Sequence, residues 1–262
     1  MRAAVCLWWL GACGEGPPGP AAAPATTGAA PVACEAPLVL AAADLAPALT
    51  ELAAQYAATY GCAPTLSFGS TGAFTTQLEQ GARADVFFAA SVDFIDRLDR
   101  AGLVRAGTRV EYALGRLVLV APPGRAPPAS LAGLSDPAFR FVAIANPEHA
   151  PYGRAAEQAL ASSGQLETVR PRLVLGENIA QAVQLVDSGN ADAGIVALSL
   201  ALAREGAAYT PIDASLHDPL VQVAAIPTAA ERPEAGRKMI GLVTGALGRP
   251  VMERYGFVRP SE

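Results

Sequence analysis

The stretch Leu38-Val39-Leu40-Ala41-Ala42-Ala43-Asp44-Leu45 decides the fold. Its apolar opening, Leu38-Val39-Leu40-Ala41-Ala42, reads as a strand. Immediately behind it, Leu45, Leu49, Leu52, Tyr56 and Tyr60 fall on one face of a helix, which Gly61 ends. A strand feeding straight into an amphipathic helix is the repeating half-unit of an α/β fold.

The same alternation continues downstream. Thr65-Leu66-Ser67-Phe68 is a strand that leads through Gly69 into a helix over 72–80, and 85–90 is the next strand, before a helix carrying Phe94, Ile95 and Leu98. A second series starts near Gly115. Its strands are 117–120, 140–145, Leu173-Val174-Leu175 and Gly194-Ile195-Val196. Its helices open at Pro151, a favoured first helical position, and behind Asn178, a good N-cap. A late strand over 220–226 and a helical region from about Glu231 close the chain. Two such series with a late return predict two lobes, each a mainly parallel sheet flanked by helices. Lobe 1 is expected over 35–114 plus 217–262 and lobe 2 over 115–216, with a hinge between them.

Composition narrows the function. Of 262 residues, 52% are apolar and 16% charged, a balance that suits a large buried core. The net charge of −5 comes without a basic patch, which argues against a nucleic-acid partner. It also means that any anion must be held by local dipoles.

Ahead of the folded region, Arg2 and the run Ala3-Ala4-Val5-Cys6-Leu7-Trp8-Trp9-Leu10 read as an export signal, far too short to span a bilayer. Leu10-Gly11-Ala12-Cys13 resembles a lipobox. Residues 1–13 are therefore expected to be a lipoprotein signal peptide, with Cys13 the lipidation site. Residues 14–34, rich in Pro, Ala and Gly, form a tether from a membrane anchor in the periplasm or on the outer cell surface. Cys34 and Cys62 each precede a strand by a few residues. If those strands are parallel neighbours, the two cysteines start from one sheet edge, and an exported compartment permits a disulfide between them. No cluster of His and Cys suggests a metal, and no cofactor motif is present.

Three junctions can hold an anion: Ala41-Ala42-Ala43-Asp44, Phe68-Gly69-Ser70-Thr71-Gly72, and Asn178-Ile179 behind Gly176-Glu177. In parallel α/β folds, ligands sit where strand ends meet helix starts. Unpaired N–H groups there favour negative charge without Lys or Arg, and a hydroxyl adds a directed donor. Ser, Thr, Asp and Asn are equally the preferred residues for plain caps. On these patterns alone, a binding protein and an enzyme both remain open. A hydrolase would need Ser70 or Ser199 with His149 or His217, yet no Gly-x-Ser-x-Gly elbow accompanies them.

Several blocks taken together add more. They are Ala41-Ala42-Ala43-Asp44-Leu45, Phe68-Gly69-Ser70-Thr71-Gly72, Gly81-Ala82-Arg83-Ala84-Asp85-Val86-Phe87, and Asn146-Pro147-Glu148-His149-Ala150-Pro151-Tyr152-Gly153. Gly176-Glu177-Asn178-Ile179, Gly194-Ile195-Val196 and Arg254-Tyr255-Gly256-Phe257 continue the series. In this order, over nearly the whole region behind the tether, they resemble the molybdate-binding proteins of bacterial ABC transporters, class II periplasmic binding proteins. The resemblance implies a non-enzymatic monomer whose lobes close over molybdate or tungstate, then deliver it to a membrane permease and its ATPase. It implies Ser70, Thr71, Tyr152 and the Ile179 N–H as ligands, with Asp44 at the first junction. No protein atom touches the molybdenum itself. Two positions depart from the family pattern: Asp44 replaces a usual Ser, and Ala197 replaces a tyrosine. A carboxylate beside a dianion is repelled. Either Asp44 turns away to cap its helix, or the ligand is another oxyanion, such as hydrogen phosphate or sulfate.

Overall fold

The structure, a computed structural model, describes residues 34–206 and 208–260. The proposed signal peptide, its Cys13 and the tether up to residue 33 lie outside the described residues.

The first series forms β1 (Leu38–Ala42), a 3-10 turn (Ala43–Leu45), α1 (Ala46–Tyr60), β2 (Thr65–Gly69), α2 (Thr71–Glu79), β3 (Val86–Ala89), α3 (Val92–Arg100) and β4 (Val110–Gly115). Next come β5 (Leu117–Val120), β6 (Val142–Ala145), α4 (Pro151–Ser162), α5 (Leu166–Val169), β7 (Leu173–Gly176) and α6 (Ile179–Asp187). The chain ends with β8 (Ala193–Ala197), α7 (Leu198–Leu202), β9 (Tyr209–Pro211), β10 (Leu220–Ala225), α8 (Pro233–Thr244) and α9 (Gly248–Arg254).

These strands make two five-stranded sheets, ordered β2-β1-β3-β10-β4 and β7-β6-β8-β5-β9. Each sheet is mixed rather than purely parallel. In the first, β2, β1, β3 and β4 share a direction and β10 runs against its neighbours β3 and β4. In the second, β5 alone runs against its neighbours β8 and β9. The expected parallel core is present, with one reversed strand in the same place in each sheet. Both reversed strands are the first to form after the chain crosses from one sheet to the other. One crossing is made at Arg116, between β4 and β5, and the other between β9 and β10.

β1 is apolar throughout because both of its faces are covered. Val39 and Ala41 pack into a cluster with Leu45, Leu49, Leu52 and Tyr56, all fully buried. Leu40 points the other way, into a second cluster with Phe74, Phe87, Ile95 and Leu98. Gly61 ends α1 at φ +85°, in the left-handed region that glycine adopts without a Cβ penalty. Asp85, also buried, accepts the N–H of Leu38 (2.8 Å) and of Arg232 (2.7 Å), fixing the start of β1 beside the start of α8.

β1 and β2 are parallel neighbours with Leu38 opposite Thr65. Cys34 and Cys62, just ahead of them, are bonded to each other with Cα atoms 5.8 Å apart. No helix among the described residues is long and apolar enough to cross a membrane. No group of His, Cys, Asp or Glu among them is arranged to hold a metal ion.

Candidate functional site

Strand ends from both sheets converge on one point. β1 delivers Ala42, Ala43 and Asp44, β2 delivers Ser70 and Thr71, and Ala90 follows β3. From the second sheet, the segment after β6 brings Ala150, Pro151 and Tyr152, and β7 leads to Ile179. All of these line a single small cavity of about 10 Å³. The predicted residues Asp44, Ser70, Thr71, Tyr152 and Ile179 are thus brought together. A space of that size holds about one water molecule, so a tetrahedral oxyanion enters only if the walls part first.

Three helices of ordinary length begin at this cavity: α2 at Thr71, α4 at Pro151 and α6 at Ile179. Their first N–H groups have no intrahelical acceptor and carry the positive end of the helix dipole. Asn178 caps α6 through the N–H groups of Ala180 and Gln181, both 3.0 Å away, which leaves the Ile179 N–H to the cavity. No Lys or Arg lines the space.

The side chains are partly engaged with one another. The Ser70 hydroxyl donates to the His149 carbonyl (2.6 Å) and lies 2.8 Å from His149 Nδ1. The Gly72 N–H donates to the same carbonyl (2.9 Å). Thr71 Oγ1 accepts the Ala90 N–H (3.1 Å), which leaves its own O–H to donate elsewhere. These contacts tie the start of α2 to the loop before α4. The lobes meet across the cavity.

Asp44 does not take the capping role expected of it. It is fully buried, and no side-chain cap bond forms at the 3-10 turn it occupies. It turns away from the helix start, but into the seam between the lobes. Its Oδ2 accepts the Tyr152 O–H (2.9 Å) and a Gln222 Nε2–H (3.0 Å), and its main-chain carbonyl accepts the Ser199 O–H (2.7 Å). Its Oδ1 has no partner. Burial drives its pKa up to about 7, outweighing the Tyr152 and Gln222 donors and the nearby backbone N–H groups of Asp44 and Leu45. Tyr152 meets Asp44 at the same seam. It reaches the cavity wall, but its phenol donates to Asp44. Burial first, and then the Asp44 charge, holds its pKa well above the usual range. Gly115, at the first crossing, makes this possible, because a Cβ there would come within 2.1 Å of the Tyr152 oxygen.

Of the hydrolase candidates, Ser199 points at the Asp44 carbonyl and His217 Nδ1 at the Asp218 carbonyl, while Ser70 and His149 lie together, the Ser70 hydroxyl within reach of both the His149 carbonyl and its Nδ1. His149 holds the start of α2 through its carbonyl, which accepts from Ser70 and Gly72.

Residues 37–258 match the family described as bacterial extracellular solute-binding protein. This chain belongs to that family. Among the relatives of this solute-binding protein is the molybdate-binding protein ModA of Azotobacter vinelandii. It is 36% identical over 223 residues, 84% of this chain and 88% of that protein. ModA of Rhodobacter capsulatus is 31% identical over 231 residues, covering 88% and 91% of the two chains. The solved structure of the Azotobacter vinelandii periplasmic molybdate-binding protein superposes with a TM-score of 0.78 at 32% identity, spanning 86% of this chain and all of that one. The two-lobe class II fold is therefore shared.

Sequence reasoning missed Gln222, Ser199 and Gly115 as parts of this solute-binding protein's site. Gln222 carried a signal: it is the one amide in the apolar strand Leu220-Val221-Gln222-Val223-Ala224-Ala225, and it is fully buried.

Proposed function

We propose that this exported protein captures molybdate, and tungstate with it, in the cleft between its lobes and presents the anion to the permease and ATPase of an ABC importer. The supporting observation is the convergence of three helix N-termini and two hydroxyl side chains on one cavity without a cationic side chain. The names of the relatives above agree with that chemistry. Fixed neutral dipoles replace the hydration shell of a dianion and release it when the lobes part. The donors are the N–H groups at the starts of α2, α4 and α6 together with the hydroxyls of Ser70 and Thr71, and Asp44 and Tyr152 act from behind them. The lobes are 35–114 with 217–262, and 115–216. No turnover is part of this reading, and a monomer suffices for it.

Asp44 was the main support for hydrogen phosphate as ligand. Its Oδ2 already accepts two donors, which weakens that alternative. Calorimetric titration with molybdate, tungstate, sulfate and phosphate tests the proposal. Tight binding of the first two and weak binding of the others is expected. Preference for sulfate or phosphate would refute the molybdate assignment. Anchoring through Cys13 is tested separately, since Cys13→Ser should release the protein from membranes. Retention of that variant would remove the lipid anchor from the proposal.

A further inference from the structure

The cavity wall is backed by a buried polar cluster that joins the two lobes. Asp44 lies at its centre, fully buried. Tyr152 reaches it from α4 and Gln222 from β10, both on Oδ2, and Gln222 Nε2 is itself 3.4 Å from the Tyr152 oxygen. The Tyr112 hydroxyl on β4 belongs to the same region, and the Ser199 hydroxyl on α7 holds the Asp44 carbonyl. Burial raises the Asp44 pKa to about 7, and no Lys, Arg or His contributes to its surroundings. Asp44 Oδ1, Gln222 Oε1 and the Tyr112 hydroxyl have no hydrogen-bond partner. An ionised carboxylate here would be a buried charge held by two neutral donors and no cation, which burial disfavours against the neutral acid. Opening the lobes separates Tyr152 from Asp44 and admits water to both.

We infer that Asp44 is a positioning residue that couples lobe closure to uptake of one proton, its neutral carboxyl pinning Tyr152 of the second lobe against Gln222 of the first. The inference rests on the receptor reading above, and the oxyanion's metal atom contacts no protein group in it. Burial in the closed seam raises the carboxyl from its ordinary 3.8 to about 7, and water entering an opened cleft returns it toward the ordinary value. The closed, anion-holding form therefore carries an additional proton between those values, and affinity rises as pH falls through 7.

The test is calorimetric titration of the full chain with tungstate and with molybdate at about pH 6, 7 and 8, in two buffers of different ionisation enthalpy. About ten-fold tighter binding at pH 6 than at pH 8, with uptake of about half a proton per anion at pH 7, is the expected result. His149, whose Nδ1 lies 2.8 Å from the Ser70 hydroxyl, is the control position. The dependence should survive in His149→Gln and vanish in Asp44→Asn, whose ratio of affinities between the two pH values should fall to about one, whatever its absolute affinity. No proton uptake by the wild-type protein, or a full pH dependence in Asp44→Asn, overturns the inference. If Asp44→Asn does not fold, the wild-type buffer comparison decides alone. Binding that is tight and independent of pH overturns the inference and leaves the receptor reading standing. Absence of binding at every pH overturns both.

Discussion

At the level of single residues, Asp44 links stability to pH. Its folded pKa of about 7 lies above the ordinary 3.8, so between those values the folded chain keeps a proton that the unfolded chain has released. The stabilisation is complete below about pH 4 and is lost as pH rises through 7. The loss reaches at most about 4 kcal/mol, from 1.36 kcal/mol per unit. Urea unfolding of the wild-type protein against Asp44→Asn should show this slope only in the wild type. Parallel curves would mean that the carboxyl is already ionised in the folded protein. The two hydroxyls at the cavity are tested together. Ser70→Ala with Thr71→Ala should weaken anion binding by about 2 kcal/mol, roughly 30-fold, as two donors to a charged acceptor are lost. Unchanged affinity would remove both from the site.

At the level of elements, the approach of α2 to the loop before α4 depends on Gly72. A Cβ at that position would lie 2.5 Å from the His149 carbonyl oxygen, a main-chain atom that cannot swing aside. If the receptor reading holds and the lobes part here, Gly72→Ala should fold normally yet bind the anion at least about ten-fold more weakly. A matched thermal midpoint with reduced affinity is the signature. An equal loss in both would make Gly72 an ordinary packing position. Elsewhere, the bond between Cys34 and Cys62 closes a span of 28 residues, so its removal should cost about 3.5 kcal/mol on the chain-entropy account, read as a fall in the unfolding midpoint under reductant.

The elements that the sequence disclosed are those with signals of their own. β1, β3 and β6 are buried on both faces, and α1 and α6 carry an apolar stripe with a clear stop or cap. β4 escaped notice because Val110-Glu111-Tyr112-Ala113-Leu114-Gly115 gains its strand character from β10, more than a hundred residues away. β9 is three residues long and ends in Pro211, and α7 has only five residues. The site divides in the same way. Ser70, Thr71 and Ile179 announce themselves at helix starts. The pairing of Asp44 with Gln222 spans 178 positions and that with Ser199 spans 155, so local patterns cannot disclose either.

At the level of the whole molecule, the two sheets depend unequally on the complete chain. The second draws all its strands from one continuous stretch, Leu117 to Pro211. The first holds β10 between β3 and β4, so β4 has no neighbour in its sheet until residues 220–225 exist. Translation and export deliver a polypeptide from its beginning, so the half containing the N-terminus must wait, unfinished, for a strand supplied almost last. The later half can settle meanwhile. A protein built this way reaches its final form only when residues 220–225 have been handed over, however early the second sheet has formed.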